Sequence, residues 1–374
     1  MKIGTITLSN SQENYGQALQ CYALVEYLRL LGHEAFLIRA KHLAIDNRSF
    51  KEKIISRITL FLNPIKLYRH YLEVREYNRQ HRAMNNDVKE HPRYFDDFFK
   101  DNIPSTEIWY DDISIFTSTP EADAYICGSD QIWGGDDTYM YLQFAQSGAI
   151  KISYAVSFGG YIPSSDVQKK IRGYLSDFKW ITLREQSGTD ICRGMGFNHA
   201  ETVPDPTLLL SVDRYRKVYK STSNAISQPY LLLYLLGNEM PLDVEEIYKF
   251  AKKHTLHIIY VSSQGRNDQF EKKYPTIEQW LDLIENADYI ITNSYHGTIF
   301  SILFHKKFLS IPITGIRARM NTRLEELLSR YNLKERLYSG SLETLFQDVD
   351  YTCFENVNQK EKSYISDKFA QILA

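Results

Sequence analysis

At 374 residues and 43.7 kDa the chain is longer than one hydrophobic core usually serves, so two domains are expected. Forty-four Lys and Arg stand against 46 Asp and Glu, a formal charge of −2. That balance gives no global case for a nucleic-acid partner and leaves room only for a local basic patch that takes a small anion.

In chain order, Lys2–Leu8 reads as a first strand. A polar loop follows, then a helix over Gln17–Leu31 with apolar residues at helical spacing and Gly32 as its C-terminal cap, then a strand at Glu34–Ile38. This β-loop-α-β start is the signature of a doubly wound parallel sheet. From about Lys41 to Arg93 the pattern is interrupted by a stretch rich in Lys, Arg, His and Tyr, with a helical period over Ile54–Leu72. It reads as a helical excursion, either packed on the first domain or offering a basic surface to an anionic or lipid-linked ligand. Strands resume at Ala122–Cys127, Ile150–Ser157, Trp180–Arg184 and Glu201–Asp205, with helices over Val167–Phe178 and Gly188–Met195. A polar linker, Ser221–Gln228, opens a second α/β set. Its strands are Tyr230–Leu236, His257–Ser262, Tyr289–Asn293 and Lys307–Ile311. Its helices are Leu242–His254, Thr276–Asn286, Gly297–Phe304 and Asn321–Tyr331, and a tail helix spans Asn358–Leu373. The expected domains are 1–220, with an insertion over about 41–115, then 229–345, then a tail over 346–374. Strand carboxyl ends should line a cleft between the two halves.

Cys21, Cys127, Cys192 and Cys353 form no CxxC and no Cys/His cluster, and read as reduced, buried thiols of a cytosolic protein. No stretch reads as a signal peptide or a membrane span. The 27 Tyr weakly favour a carbohydrate ligand, because Tyr and Trp stack on sugar rings; an ordinary Tyr-rich core is the alternative.

The strongest chemical signal is Ile290–Phe300, a buried strand that ends in polar residues and opens into a helix. Ser294 is a natural N-cap, Gly297 lets an anion approach free N–H groups, and Thr298 follows in the first turn. His296 sits where the helix dipole lowers its pKa and a bound phosphate or carboxylate raises it, so it is a candidate acid or base. Its alternative is a hydrogen-bonded structural His. Tyr125–Trp133 presents another strand end, with Gly128, then Ser129, Asp130, Gln131 and Trp133 to grasp sugar hydroxyls, Trp133 as stacking face and Asp130 as base or merely as a turn cap. Arg184, at a strand end, suits a carboxylate or phosphate unless it only pairs with Glu185. Arg317 and Arg319 offer further cations, unless helix acids such as Glu325 take them. Asn14, Tyr15 and Gln17 lie in the first ligand loop, which is not a GxGxxG and so makes no case for NAD. P-loop, GxSxG, HExxH and EF-hand templates are absent and no Asp-x-Asp stands at a strand end, so no metal and no cofactor is expected.

Six ordered blocks carry a resemblance over nearly the whole chain. They are Asn14–Gln20, Gly128–Trp133, Ser153–Gly159, Arg184-Glu185, Asp205–Leu209 and Ser294–Gly297. Together they resemble the polysaccharide pyruvyl transferase family. The resemblance implies two Rossmann-like domains facing a central cleft (glycosyltransferase B type), with the helical insertion in the first. It implies phosphoenolpyruvate as co-substrate and a sugar acceptor, lipid-linked or nucleotide-linked, in cytoplasmic synthesis of a cell-surface polysaccharide, with peripheral membrane contact as one option. His296 and Arg184 match the family's functional His and Arg, and Arg317 or Arg319 its downstream basic residue; Ser294-Tyr295 replaces an Arg-Leu pair found in one branch. Arg184, Ser294, Gly297, Thr298, Arg317 and Arg319 are then the donor side, and Asn14, Tyr15, Gln17, Ser129, Gln131 and Trp133 the acceptor side. His296 protonates the donor and Asp130 serves the attacking hydroxyl. A nucleotide-sugar glycosyltransferase of the same fold and a non-catalytic sugar-binding protein are the alternatives.

Overall fold

The computed structural model describes residues 1–41, 75, 87–219, 228–263, 265–266 and 268–374, without the side chains of Ile316 and Arg317. The helical run expected over Ile54–Leu72, and all but the last residue of the linker, lie outside the described residues.

Two parallel sheets organise the chain. The first contains β1 (Lys2–Ile6), β2 (Glu34–Leu37), β3 (Ala124–Cys127), β4 (Ile150–Val156), β5 (Trp180–Leu183) and β6 (Glu201–Thr202), in the order β2-β1-β3-β4-β5-β6. The second contains β7 (Tyr230–Tyr234), β8 (His257–Val261), β9 (Tyr289–Thr292) and β10 (Lys307–Ser310), in the order β10-β9-β7-β8. The helices are α1 (Tyr15–Leu30), α2 (Phe95–Asn102), α3 (Ser114–Thr117), α4 (Ser165–Leu175), α5 (Gln186–Gly194) and α6 (Val212–Val218) in the first half. In the second they are α7 (Val244–Lys253), α8 (Ile277–Asn286), α9 (Tyr295–Leu303), α10 (Asn321–Arg330) and α11 (Thr352–Ile372). Strands such as β3 and β7 are buried at every position, as a sheet covered on both faces requires.

Caps set the helix starts. The Asn14 side chain accepts the Gln17 N–H, so α1 begins at Tyr15, two residues before the expected Gln17. Ser294 does the same for α9, and Thr276 with Gln279 forms a reciprocal capping box on α8. The strand expected over Glu201–Asp205 stops at Thr202, because Asp205 caps a 3₁₀ turn at Pro206–Leu208. The tail helix starts at Thr352 rather than Asn358. Cys21, Cys127 and Cys192 are buried, but Cys353 is only half-buried.

The sheet orders place the ligand loops. In the first sheet the chain passes from β1 outward to β2, then crosses to β3 on the other side of β1. In the second it passes from β7 to β8, then crosses to β9. Each reversal opens a crevice at the strand carboxyl ends. The segments there carry Gly16, in the first turn of α1, and Ser129, after β3, in the first half, and His296, in the first turn of α9, in the second.

The halves do not merely face each other; they share a core. Thirteen of the sixteen residues of α1 are buried, as expected of a helix sandwiched between two layers. Tyr15 stacks on Trp280 at 5.2 Å and donates its hydroxyl hydrogen to the Pro275 carbonyl. Arg93 binds Asp87 at 2.8 Å and reaches across the seam to Ser262 at 3.0 Å. Helix α11 returns to the first half, where Phe369 packs edge-on to Trp180 at 5.4 Å. No helix among the described residues is long and apolar enough to cross a membrane.

Candidate active site

The site is built around one buried carboxylate. Asp205 Oδ2 accepts from Ser129 Oγ at 3.0 Å and from Arg184 Nη1 at 3.1 Å, and His296 Nε2 faces it at 3.5 Å. Its Oδ1 accepts the Thr207 N–H at 3.0 Å and the Thr207 hydroxyl at 2.7 Å. Burial alone would raise the pKa of this carboxyl; His296, Arg184 and Thr207 outweigh it and hold it far below the usual carboxylate range. Arg184 also pairs with Glu185 through Nε at 2.9 Å, and its guanidinium lies over the Tyr295 ring, 4.4 Å from the centroid. Burial would lower the pKa of Arg184, but Glu185, Tyr295 and Asp205 outweigh it and push it up. Two atoms of the cluster are buried without a hydrogen-bond partner: Arg184 Nη2 and His296 Nε2. Such atoms are costly to leave unmet.

His296 is positioned from both halves. Ser294 caps α9 and fixes the first turn that carries the ring. Gly297 packs so closely on Thr292 that an added methyl would overlap the threonine hydroxyl. From the first half, Gly16 is pressed against the imidazole. A methyl built on Gly16 would overlap Nδ1 and Cγ of His296 and lie 2.6 Å from its Cβ. Gly16→Ala is therefore expected to displace the ring or part the halves, with a loss of turnover of roughly 10²-fold, as for a misplacement of about 1 Å. Steady-state kinetics beside a melting curve checks this; wild-type turnover would mean that the Gly16–His296 contact does not position the ring.

The structure brings His296, Arg184 and Ser129 together as site residues and puts Asp130 beside them. Asp130, 8% exposed, takes φ +69° and caps its own turn by accepting the Gln131 N–H at 2.8 Å. Ser129 is fully buried and holds Asp205, so it acts on the cluster and not on a sugar. Other expectations are corrected by burial. Trp133 is wholly buried, stacked on Tyr141 at 5.0 Å with its indole N–H on the Met140 carbonyl, and offers no face for stacking. Tyr15 is core, as described above. Thr298 is buried between the Ser294 carbonyl and Ser310 Oγ. The Ser294 hydroxyl and the Gly297 N–H are bonded to each other. Gln17 is tied to the Ser11 N–H at 2.9 Å; Asn14 is half-buried as the α1 cap, and Gln131 lies half-buried against Gly159. Arg319 is exposed, its backbone against Gly160. The Arg317 side chain lies outside the described residues.

Two functional candidates were missed. Asp205 had a local signal, an Asp-Pro-Thr turn, but nothing in the turn tells what its second oxygen meets. Arg323 had none, since on a helix with Glu325 and Glu326 it reads as a surface residue. A cavity of about 450 Å³ lies beside the cluster, lined by Arg184, Asp205, Tyr295, Arg323, Glu326 and Arg330 among others.

Solved structures with a similar fold include the UDP-GlcNAc 2-epimerase from Methanocaldococcus jannaschii, with a TM-score of 0.56 and 12% identity over 100% of this chain and 99% of that one. The same organism's enzyme in complex with UDP-GlcNAc and UDP gives 0.52 and 12%, over 100% and 99%. The epimerase from Rickettsia bellii gives 0.50 and 10%, over 100% and 96%. At such identities the likeness shows the fold, two Rossmann-like domains of the glycosyltransferase B type. No curated protein sequence matches the chain. The family model described as polysaccharide pyruvyl transferase matches residues 14–314, a span that contains the buried cluster from Gly16 to His296, and the chain accordingly belongs to the polysaccharide pyruvyl transferase family.

Proposed function

We propose that the chain transfers pyruvate from phosphoenolpyruvate to two hydroxyls of one sugar, forming a ketal in the synthesis of a cell-surface polysaccharide. The observation that carries this reading is a pair of buried groups at Asp205: His296, whose Nε2 has only a 3.5 Å contact with the carboxylate, and Arg184, whose Nη2 has no hydrogen-bond partner. One is a proton carrier and the other an anion donor, which is what an enol phosphate needs.

In this reading His296 protonates the methylene carbon, and carbon 2 gains oxocarbenium character that Asp205 and the bound anions offset. The first sugar hydroxyl adds to carbon 2 and gives its proton to a base, with Asp130 as candidate. The carbon–oxygen bond to phosphate then breaks, and the second hydroxyl closes the ketal. Two carbon–oxygen bonds form while one carbon–oxygen bond and one carbon–carbon π bond break. Of the two hydroxyl protons, one is balanced by the new methyl group and the other by the departing phosphate, so no redox partner is needed. Asp205 orients the imidazole and keeps Arg184 aligned. The first half would serve the acceptor and the second the donor, in the cytoplasm. UDP-GlcNAc held by the Methanocaldococcus jannaschii epimerase supports a sugar, free or nucleotide-linked, as acceptor. Against a nucleotide-sugar donor, Glu285, one acid that could hold a ribose, is committed to Arg216 and Tyr219.

The test is phosphate release from phosphoenolpyruvate with a panel of sugar acceptors, and NMR of the product for a ketal methyl group. Acceptor-dependent release with a new methyl signal is expected. Tight binding of a nucleotide sugar with no release from any acceptor would replace this reading by glycosyl transfer.

A further inference from the structure

Among the described cations that line the cavity beside Asp205, Arg184 and Arg330 are ion-paired and Arg323 is not. Its guanidinium stands 5.7 Å from the centroid of the Tyr295 ring that Arg184 also covers. Its hydrogen bond, from Nε to the Met320 carbonyl, is 3.5 Å long, the limit for such a bond. No carboxylate among the described residues lies within ion-pair distance. Burial and then the like charge of Arg184 hold its pKa below the ordinary arginine value.

The acids around it are turned elsewhere, Asp130 to the Gln131 N–H. Asp205 and Glu185 hold Arg184. Glu361 holds Arg330 at 2.5 Å and accepts from Tyr331. Glu326 turns both oxygens to the N-terminus of α5, accepting from the backbone N–H of Gln186 at 2.6 Å and of Ser187 at 3.4 Å. Among the described residues that line the cavity, Arg323 is the cation without a carboxylate partner, and Arg184 lines the same cavity.

Resting on the pyruvyl-transfer reading for the identity of the donor, we propose that this cavity is the phosphate subsite. Arg323 and Arg184 Nη2 hold the phosphoryl group, and inorganic phosphate departs through the cavity. The phosphoryl group is favoured over the carboxylate on two grounds. His296 does not line the cavity and its ring packs on Gly16, so the carbon that takes the proton lies outside the cavity. The group that carries more charge and must leave then points toward it, and a dianion gains most from a second planar fork. Arg323 lies beyond the segment 14–314 that the family model matches, so the family does not assign it.

The experiment is calorimetric titration of the full chain with inorganic phosphate alone, for wild type, Arg323→Gln and Arg323→Lys, with a melting curve of each. Phosphate is expected to bind wild type and to bind Arg323→Gln roughly 10- to 100-fold more weakly, the size of a lost charge-assisted hydrogen bond. Arg323→Lys, with the charge but not the fork, should fall between. Equal affinity in wild type and a folded Arg323→Gln would overturn the subsite, as would no binding to wild type. The titration needs no turnover, so the subsite can stand if pyruvyl transfer fails. An unchanged KM for phosphoenolpyruvate in Arg323→Gln would sink the subsite while the transfer reading stood.

Discussion

His296→Ala is expected to lower kcat for acceptor-dependent phosphate release by roughly 10²–10⁴-fold, the contribution of a positioned general acid, and to leave the fold in place. The ring is 7% exposed and sits where the two sheet crevices meet, so it is poised for a substrate held between the halves. Its removal costs little stability because Asp205 keeps Arg184, Ser129 and Thr207 as partners; a change of under about 2 kcal/mol is expected. The split between kinetic constants is the informative readout. Loss of a proton donor lowers kcat more than it changes KM, whereas loss of a mere packing group or anion contact raises KM. Near-normal kcat in a folded variant would remove His296 from the chemistry.

Asp205→Asn is expected to destabilise the protein by about 3–5 kcal/mol at neutral pH, the cost of removing one partner of a buried ion pair. The side chain is fully buried, and its Oδ2 meets only donors: Arg184, Ser129 and, at 3.5 Å, His296. An amide NH₂ there places donor against donor, and one at Oδ1 opposes the Thr207 N–H and hydroxyl instead. The carboxyl is held well below its ordinary value, so its stabilisation is complete above the unfolded pKa of about 3.9 and is lost as pH falls through the folded pKa. The gap between wild type and Asp205→Asn should therefore narrow by roughly 1.4 kcal/mol for each pH unit below about 4. Denaturant unfolding at pH 7 and pH 3 measures it. A gap that stays constant would mean that the Asp205 charge is not what the mutation removes.

The two changes test different layers of one arrangement. His296 is the group offered to substrate; Asp205 is the group that makes a buried Arg and a buried His compatible. A single variant at Arg184 would confound the two, since it removes an anion donor and orphans two acids.

Local order in the chain fixed much of what is seen. The apolar runs at Ala124–Cys127 and Tyr230–Tyr234 read as covered strands, and Ser294 announced the helix it caps, because caps and strand periods act within a few residues. Arg184 and His296, each at a strand end, were readable as site residues for the same reason. What the sequence did not determine was the fate of side chains whose partners lie far along the chain. Trp133 and Tyr15 looked like ligand-facing aromatics, and tertiary packing put them against Tyr141 and Trp280. Asp205 looked like the end of a strand until folding placed Arg184, Ser129 and His296 around one of its oxygens. Arg323 looked like surface until packing on Tyr295 left it without a carboxylate. Secondary structure is dictated by near neighbours. Burial and the pairing of charges depend on which distant segments meet, and here the contact of α1 with α9, Gly16 against His296, decided that.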